Sequence, residues 1–188
     1  MKSMAIVIRD DSYDKILTPL VFAYLASAEG TQVDMLFVNW AVKALTVEGA
    51  ASLCMDGRHA ADEAMVRENV AKAGLPNDIY EILKALKSSG CVNFYACSLA
   101  GAIFGVNESN LIPEAEGIVG ASWFLNDKAA KADHCQYFFF FLFLTLLYSS
   151  LLPFSFSFFF FFNISLFFFS FFSLPSLPPL PPPPPPSL

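Results

Sequence analysis

Cys97 stands at the end of an apolar run, residues 91–96 (CVNFYA), and directly before Ser98 and a small, apolar stretch that reads as a helix. A thiol there closes a buried strand, and the first amides of the following helix point toward it. Their dipoles favour the thiolate, the form that acts as a nucleophile. A free cysteine is also a small hydrophobe that packs well in a core. Position alone leaves the two readings even.

The other cysteines read differently. Cys91 lies six residues earlier on the same strand, which in an extended chain puts the two sulfurs about 20 Å apart, too far for a disulfide. Cys91 is therefore read as core filler at the opposite end of the sheet, and Cys135, inside the last strand, in the same way. Cys54 falls in a long irregular segment and is the candidate second thiol, placed to swing over the strand ends. Four cysteines without CxxC spacing suit free thiols in a reducing compartment better than a disulfide framework. No metal site is expected. His59 follows Cys54 in CMDGRH, a spacing no common zinc site uses with so few partners, and His134 points to the opposite face from its neighbour Cys135. Asp10, Asp11 and Asp14 cluster in one loop as cap and solvated residues, and an acidic rim near Cys97 disfavours anions.

What positions these residues is only part of the chain. Of 188 residues, all 28 charged ones and all nine glycines lie at or before Asp133. Residues 1–137 therefore read as one soluble domain of common size. Residues 138–188 hold 17 Phe, 11 Leu, 10 Pro and 9 Ser, so 47 of 51 come from four residue types. A pyrimidine at both of the first two codon positions encodes Phe, Leu, Ser or Pro and nothing else. The hypothesis is that this tail is translated noncoding pyrimidine-rich sequence, and a spliced message encoding it would count against that. The rival reading is a membrane anchor through residues 154–172, whose 19 uncharged residues approach the length that crosses a bilayer. Against the anchor, Pro153 divides the apolar stretch and no Lys or Arg follows Lys131 to orient it.

The first apolar run is short and is closed by Arg9, Asp10 and Asp11, unlike a secretory signal, so a cytoplasmic protein is expected. An acidic net charge of −6 without a basic cluster argues against nucleic acid as a partner.

Within the domain, apolar runs at 4–8, 33–38 and 91–96 read as strands buried on both faces, and 118–121 and 133–138 as two more. Between the first two, Ile16, Leu17, Leu20, Val21 and Tyr24 recur at helical steps, with Pro19 expected in the helix's first turn and Gly30 ending it. Residues 39–45 read as a short helix and 46–59 as a long loop. A helix over about 60–73 follows, then one capped by Asn77 with Ile79, Ile82, Leu83 and Leu86 on one face. Further helices are expected at 98–104 and 123–132. Strands alternating with helices predict a three-layer α/β/α domain with a mostly parallel sheet of about five strands. Ligands in such sheets bind at the carboxyl ends of the strands. That edge collects Asp10, Asp11, Asn39, Trp40, Cys97, Ser98, Gly120 and Ala121. With neither a GxGxxG nor a P-loop at these turns, no dinucleotide, ATP or other cofactor is expected.

Several strings together resemble the DsrE/DsrF-like sulfur-relay family, and in particular its branch often labelled peroxiredoxin-like. They are MAIVIRDDSYDKILTPLVFAYLASAEG, FYACSLAGAIFGV, NLIPEAEGIVGASWFL and ADHCQYF, and the likeness runs through nearly all of residues 1–137. In that branch an Ala-Cys pair ends the third core strand and a Gly-Gly or Gly-Ala turn ends the next, here Ala96, Cys97, Gly120 and Ala121. The resemblance implies a small homo-oligomeric α/β protein whose Cys97 takes up sulfur as a persulfide from a donor protein and hands it to an acceptor. One departure follows the cysteine. The related branch carries Met-Ser-Met-Asp there, whereas this chain has Leu99, Ala100, Gly101 and Ala102. The alternative function is a non-catalytic binding module for a small ligand or protein, in which Cys97 is inert. Thiol peroxidase chemistry is the third reading, but no Thr-x-x-Cys setting surrounds any of the cysteines.

Overall fold

The computed structural model of the protein describes residues 1–138. Both readings of the tail, translated noncoding sequence and the anchor at 154–172, lie outside the described residues.

The chain alternates strand and helix as the apolar runs predict. The strands are β1 (Ser3–Ile8), β2 (Gln32–Phe37), β3 (Val92–Cys97), β4 (Ala115–Val119) and β5 (His134–Phe138). They form one sheet in the order β4-β3-β2-β1-β5, and every pairing is parallel. The helices are α1 (Tyr13–Ala28), α2 (Val47–Ser52), α3 (Glu63–Lys72), α4 (Ile79–Ser88), α5 (Ser98–Phe104) and α6 (Ala121–Asp127), with 3-10 turns at Asn39–Leu45, Gly57–Asp62 and Ala129–Lys131. From β1 to β4 the chain steps in one direction, so right-handed crossovers carry α1, α4 and α5 on one face. The reversal from β4 back to β5 carries α6 on the other.

The first face is a continuous apolar layer. Ile16, Leu20 and Ala23 of α1, with Leu83 and Leu86 of α4, are buried in one cluster with Ile6, Met35, Phe37 and Phe94 of the sheet. The rings of Phe37 and Phe94 meet edge-on at 6.1 Å. Each large side chain fully buried there contributes about 1.5–3 kcal/mol of transfer free energy.

Several local expectations are corrected. Pro19 is not in the first turn of α1, because the helix starts at Tyr13, and Pro19 is buried in its interior. Its ring forgoes the bond to the Lys15 carbonyl that an amide would make. Residues 46–59 are not one loop. Thr46 caps α2 by accepting from the Gly49 amide at 3.0 Å, a helix too short to show a hydrophobic period. The cap of α4 is Asp78 rather than Asn77, and its carboxylate accepts from the Tyr80 amide at 2.7 Å. β4 starts and ends before the expected 118–121, and α6 starts before and ends sooner than the expected 123–132. Between Phe94 and Tyr95 the β3–β4 register shifts, opposite Gly117 at φ 138°, a conformation only glycine takes readily. Among the described residues no helix is long and apolar enough to cross a membrane.

Candidate functional site

The register fixes what gathers around Cys97. Ile8 pairs with Phe37, Phe37 with Ala96, and Ala96 with Ile118. Just beyond the ends of these strands lie Asp10, Asn39, Ser98 and Gly120. Cys97 is the last residue of β3, paired with Val119, the last of β4. The candidate residues from four separate loops therefore converge at one sheet edge, with Asp11, Trp40 and Ala121 next in line.

The topology marks one crevice along that edge. β3 hands the chain to α5 on one face, and its neighbour β4 hands it to α6 on the opposite face. Adjacent strands whose exits diverge leave a gap between them, the place where open α/β sheets receive ligands. Cys97 ends the strand on one side of this gap, and Gly120 and Ala121 open the helix on the other.

The thiol itself is recessed. Cys97 is 5% exposed and belongs to the core cluster, while Ser98, Gly120 and Ala121 around it are exposed. Leu99, 69% exposed, and Ile103 one turn later present apolar side chains to solvent on α5. Trp40, 49% exposed, packs its ring 4.2 Å from that of Phe104, and the Lys43 amine lies 5.0 Å from the indole. Asn39 makes this placement. At φ 52° it is the one non-glycine residue with positive φ among the described residues, and it turns the chain out of β2 toward α5. Asparagine tolerates the left-handed region better than most residues.

Gly101 explains part of the Leu-Ala-Gly-Ala string after Cys97. A Cβ there would come within 2.7 Å of the Val106 carbonyl oxygen. The Gly105 and Val106 amides both donate to the Gly101 carbonyl, at 2.9 and 3.0 Å. The tight turn ending α5 thus has no room for a longer residue at 101.

Cys54 is exposed, and its backbone is held rather than free to swing. Its carbonyl accepts from the Tyr13 amide at 3.0 Å, at the start of α1. Arg67 clamps the same segment, donating to the Leu53 carbonyl at 2.7 Å and to Glu63 at 2.7 Å, with its guanidinium 3.9 Å from the centre of the Tyr13 ring. Hydrogen bonds from the Met55 amide and from Arg67 hold the Glu63 carboxyl below the usual value, and burial pushes the Tyr13 phenol up. Cys91 and Cys135 are both half-buried rather than sealed in the core. His59 is exposed, with Nε2 accepting from Arg58 at 3.0 Å and Nδ1 3.6 Å from Asp62. Among the described residues no three His, Cys, Asp or Glu gather as a metal site.

One group escaped the sequence reading. On the α6 face, Asp34 of β2 and Asn93 of β3 are paired in register, and Asn93 donates to Asp34 at 3.0 Å. Lys128, at the end of α6, reaches the same carboxylate at 3.0 Å. Its amine also lies 5.4 Å from the Tyr95 ring, which meets the ring of Trp123 at 5.4 Å. Burial lowers the Lys128 pKa, but hydrogen bonds to Asp34 and Tyr95 outweigh it and leave the amine above its ordinary value. The signal was present as Asp34 and Asn93, one polar residue inside each of two otherwise apolar strands.

The sequence pattern of the DsrE/DsrF-like family matches residues 2–135. No curated protein matches significantly. Among solved structures, the chain is similar to the ychN protein from E. coli at 16% identity, covering 73% of this chain and 100% of that one with a TM-score of 0.47. It is also similar to MTH1491 from Methanobacterium thermoautotrophicum, a protein of unknown function, at 13% identity, covering 72% and 99% with a TM-score of 0.47.

Proposed function

The chain belongs to the DsrE/DsrF-like family, and on that premise we propose that it is a sulfur carrier in which Cys97 accepts and passes on a sulfane sulfur. The observation that supports this reading is the position of Cys97 at the carboxyl end of β3, next to β4, where the exits of the two strands diverge. The Cys97 thiolate attacks the outer sulfur of a donor persulfide, forming a new S–S bond as the donor's own S–S bond breaks. The donor leaves as a thiolate. An acceptor thiolate then attacks the outer sulfur of the Cys97 persulfide, takes it, and releases the Cys97 thiolate, so no net oxidant or reductant is consumed. Donor and acceptor are proteins in this reading, and the carrier is a homo-oligomer in the cytoplasm. Cys54 is a candidate second thiol. Asp10, Asp11, Asn39, Trp40, Ser98, Gly120 and Ala121 line the approach, and no cofactor enters the cycle.

Incubating the purified protein with a persulfide donor should raise the mass of the Cys97 peptide by about 32 Da, one sulfur atom. The gain should vanish in Cys97→Ser. No gain at Cys97, or one that survives the substitution, would refute the carrier.

A second reading has its own support. A thiol only 5% exposed also suits a binding module in which Cys97 is a packed hydrophobe. It predicts that Cys97 alkylates no faster than the half-buried Cys91, whereas the carrier predicts faster reaction at Cys97.

A further inference from the structure

We propose that Lys128 is a positioning residue for the thiol of Cys97, acting through α6. Asn93, Tyr95 and Cys97 alternate onto one face of β3, at steps of about 7 Å. α6 runs back over that row. Its first residues, Gly120 and Ala121, follow Val119, the pairing partner of Cys97. Its middle packs on Tyr95, through Trp123 at 5.4 Å and the fully buried Phe124 at 6.0 Å. Its end, Lys128, is bound to Asp34 at 3.0 Å beside Asn93. From Gly120 to Lys128 the eight helical rises span about 12 Å, close to the roughly 13 Å from Asn93 to Cys97 along the strand.

α6 is thus fastened at two ends by different means. The backbone of β4 ties it down beside the thiol, and at the far end the Lys128–Asp34 ion pair adds to the Ala129–Lys131 turn, whose Ala129 packs against the core. Between them Phe124 is its single buried side chain. The Lys128 and Asp34 side chains are 25% and 18% exposed, partly shielded from water and salt, where an ion pair with further hydrogen bonds holds geometry better than on an open surface. Releasing Lys128 loosens one fastening at the end of a short helix whose other end lies beside Cys97.

This inference rests on Cys97 being the reacting thiol, and its test is independent of sulfur uptake. The full chain is treated with iodoacetamide and the alkylation rates of Cys97 and Cys91 are read by peptide mass. Lys128→Met should speed Cys97 about three- to tenfold, the range open to a partly shielded ion pair. Cys91, at the opposite end of β3, should be unchanged, and Lys128→Arg should keep the parent rate. Asp34→Asn should act like Lys128→Met and serves in its place if that variant does not fold. The two together should be no faster than either alone, because they remove one shared contact. An unchanged Cys97 rate, equal acceleration at Cys91, or additive effects in the double variant would overturn the proposal. A parent protein that alkylates at Cys97 yet gains no sulfur would refute the carrier and leave the positioning role standing.

Discussion

The two faces of the sheet are built on different principles. On one, α1 and α4 cover β1, β2 and β3 with side chains that are buried and apolar. On the other, a seven-residue helix with one buried side chain lies over a polar trio of Asp34, Asn93 and Lys128. The first face supplies stability and tolerates little local motion, because close-packed interiors transmit any change in volume. Among the described residues α6 buries a single side chain on the second face, and its first turn lies beside Cys97. Low local stability is where sites that must admit a partner are drawn from.

The sharpest way to break this contrast is to remove one large ring from each face. Phe94→Ala and Phe124→Ala should each cost about 3–5 kcal/mol of unfolding free energy in denaturant titration, since both side chains are fully buried. They should differ at the thiol. Below the unfolding transition, Phe124→Ala should also accelerate Cys97 alkylation, and Phe94→Ala should not. Equal acceleration in both would erase the distinction between the faces.

A smaller effect is expected at the turn that ends β2. Asn39→Val forces a β-branched residue into the left-handed conformation at φ 52° and should destabilise by about 1–3 kcal/mol. Asn39→Gly should be close to neutral. If both variants lose stability equally, the side chain of Asn39 matters more than its backbone.

The smallest effect concerns how β1 is tied to the turn before β5. Asp133 accepts from the Lys2 amide at 2.6 Å and the Ser3 amide at 3.2 Å, which hold its carboxyl below the usual value. A depressed folded pKa contributes stability that is present above the unfolded value, near 4, and is lost as pH falls through the lower folded value. Asp133→Asn should therefore lower stability slightly at neutral pH, where the carboxylate's contribution is present, and flatten the further loss below about pH 4. Unfolding midpoints at several pH values would check it.

How much of this could be read in the chain depends on whether the information was local. The runs at 4–8, 33–38 and 91–96 name strands because both faces of a parallel sheet are buried, and Cys97 follows directly from the end of the third. Asp10, Asn39, Trp40, Ser98 and Gly120 were placed at one edge by topology alone. Elements without a hydrophobic period were missed. The string VEGAAS carries no stripe, and only the Thr46 cap betrays α2. The glycine at 117 hid the true span of β4. The Lys128 cluster was only half legible: Asp34 and Asn93 stand out in apolar strands, but register and crossover direction bring Lys128 to them, and no local pattern joins residues 34, 93 and 128.

A wholly parallel sheet has direction, with every strand entering at one border and leaving at the other. β5 pairs in parallel with β1 through Phe138, so the carboxyl end of β5 lies at the same border as Cys97, three strand spacings or about 14 Å across the sheet. A spectroscopic probe placed near residue 138 would therefore report on traffic at the thiol, whereas one at the amino terminus would sit at the far border and stay silent.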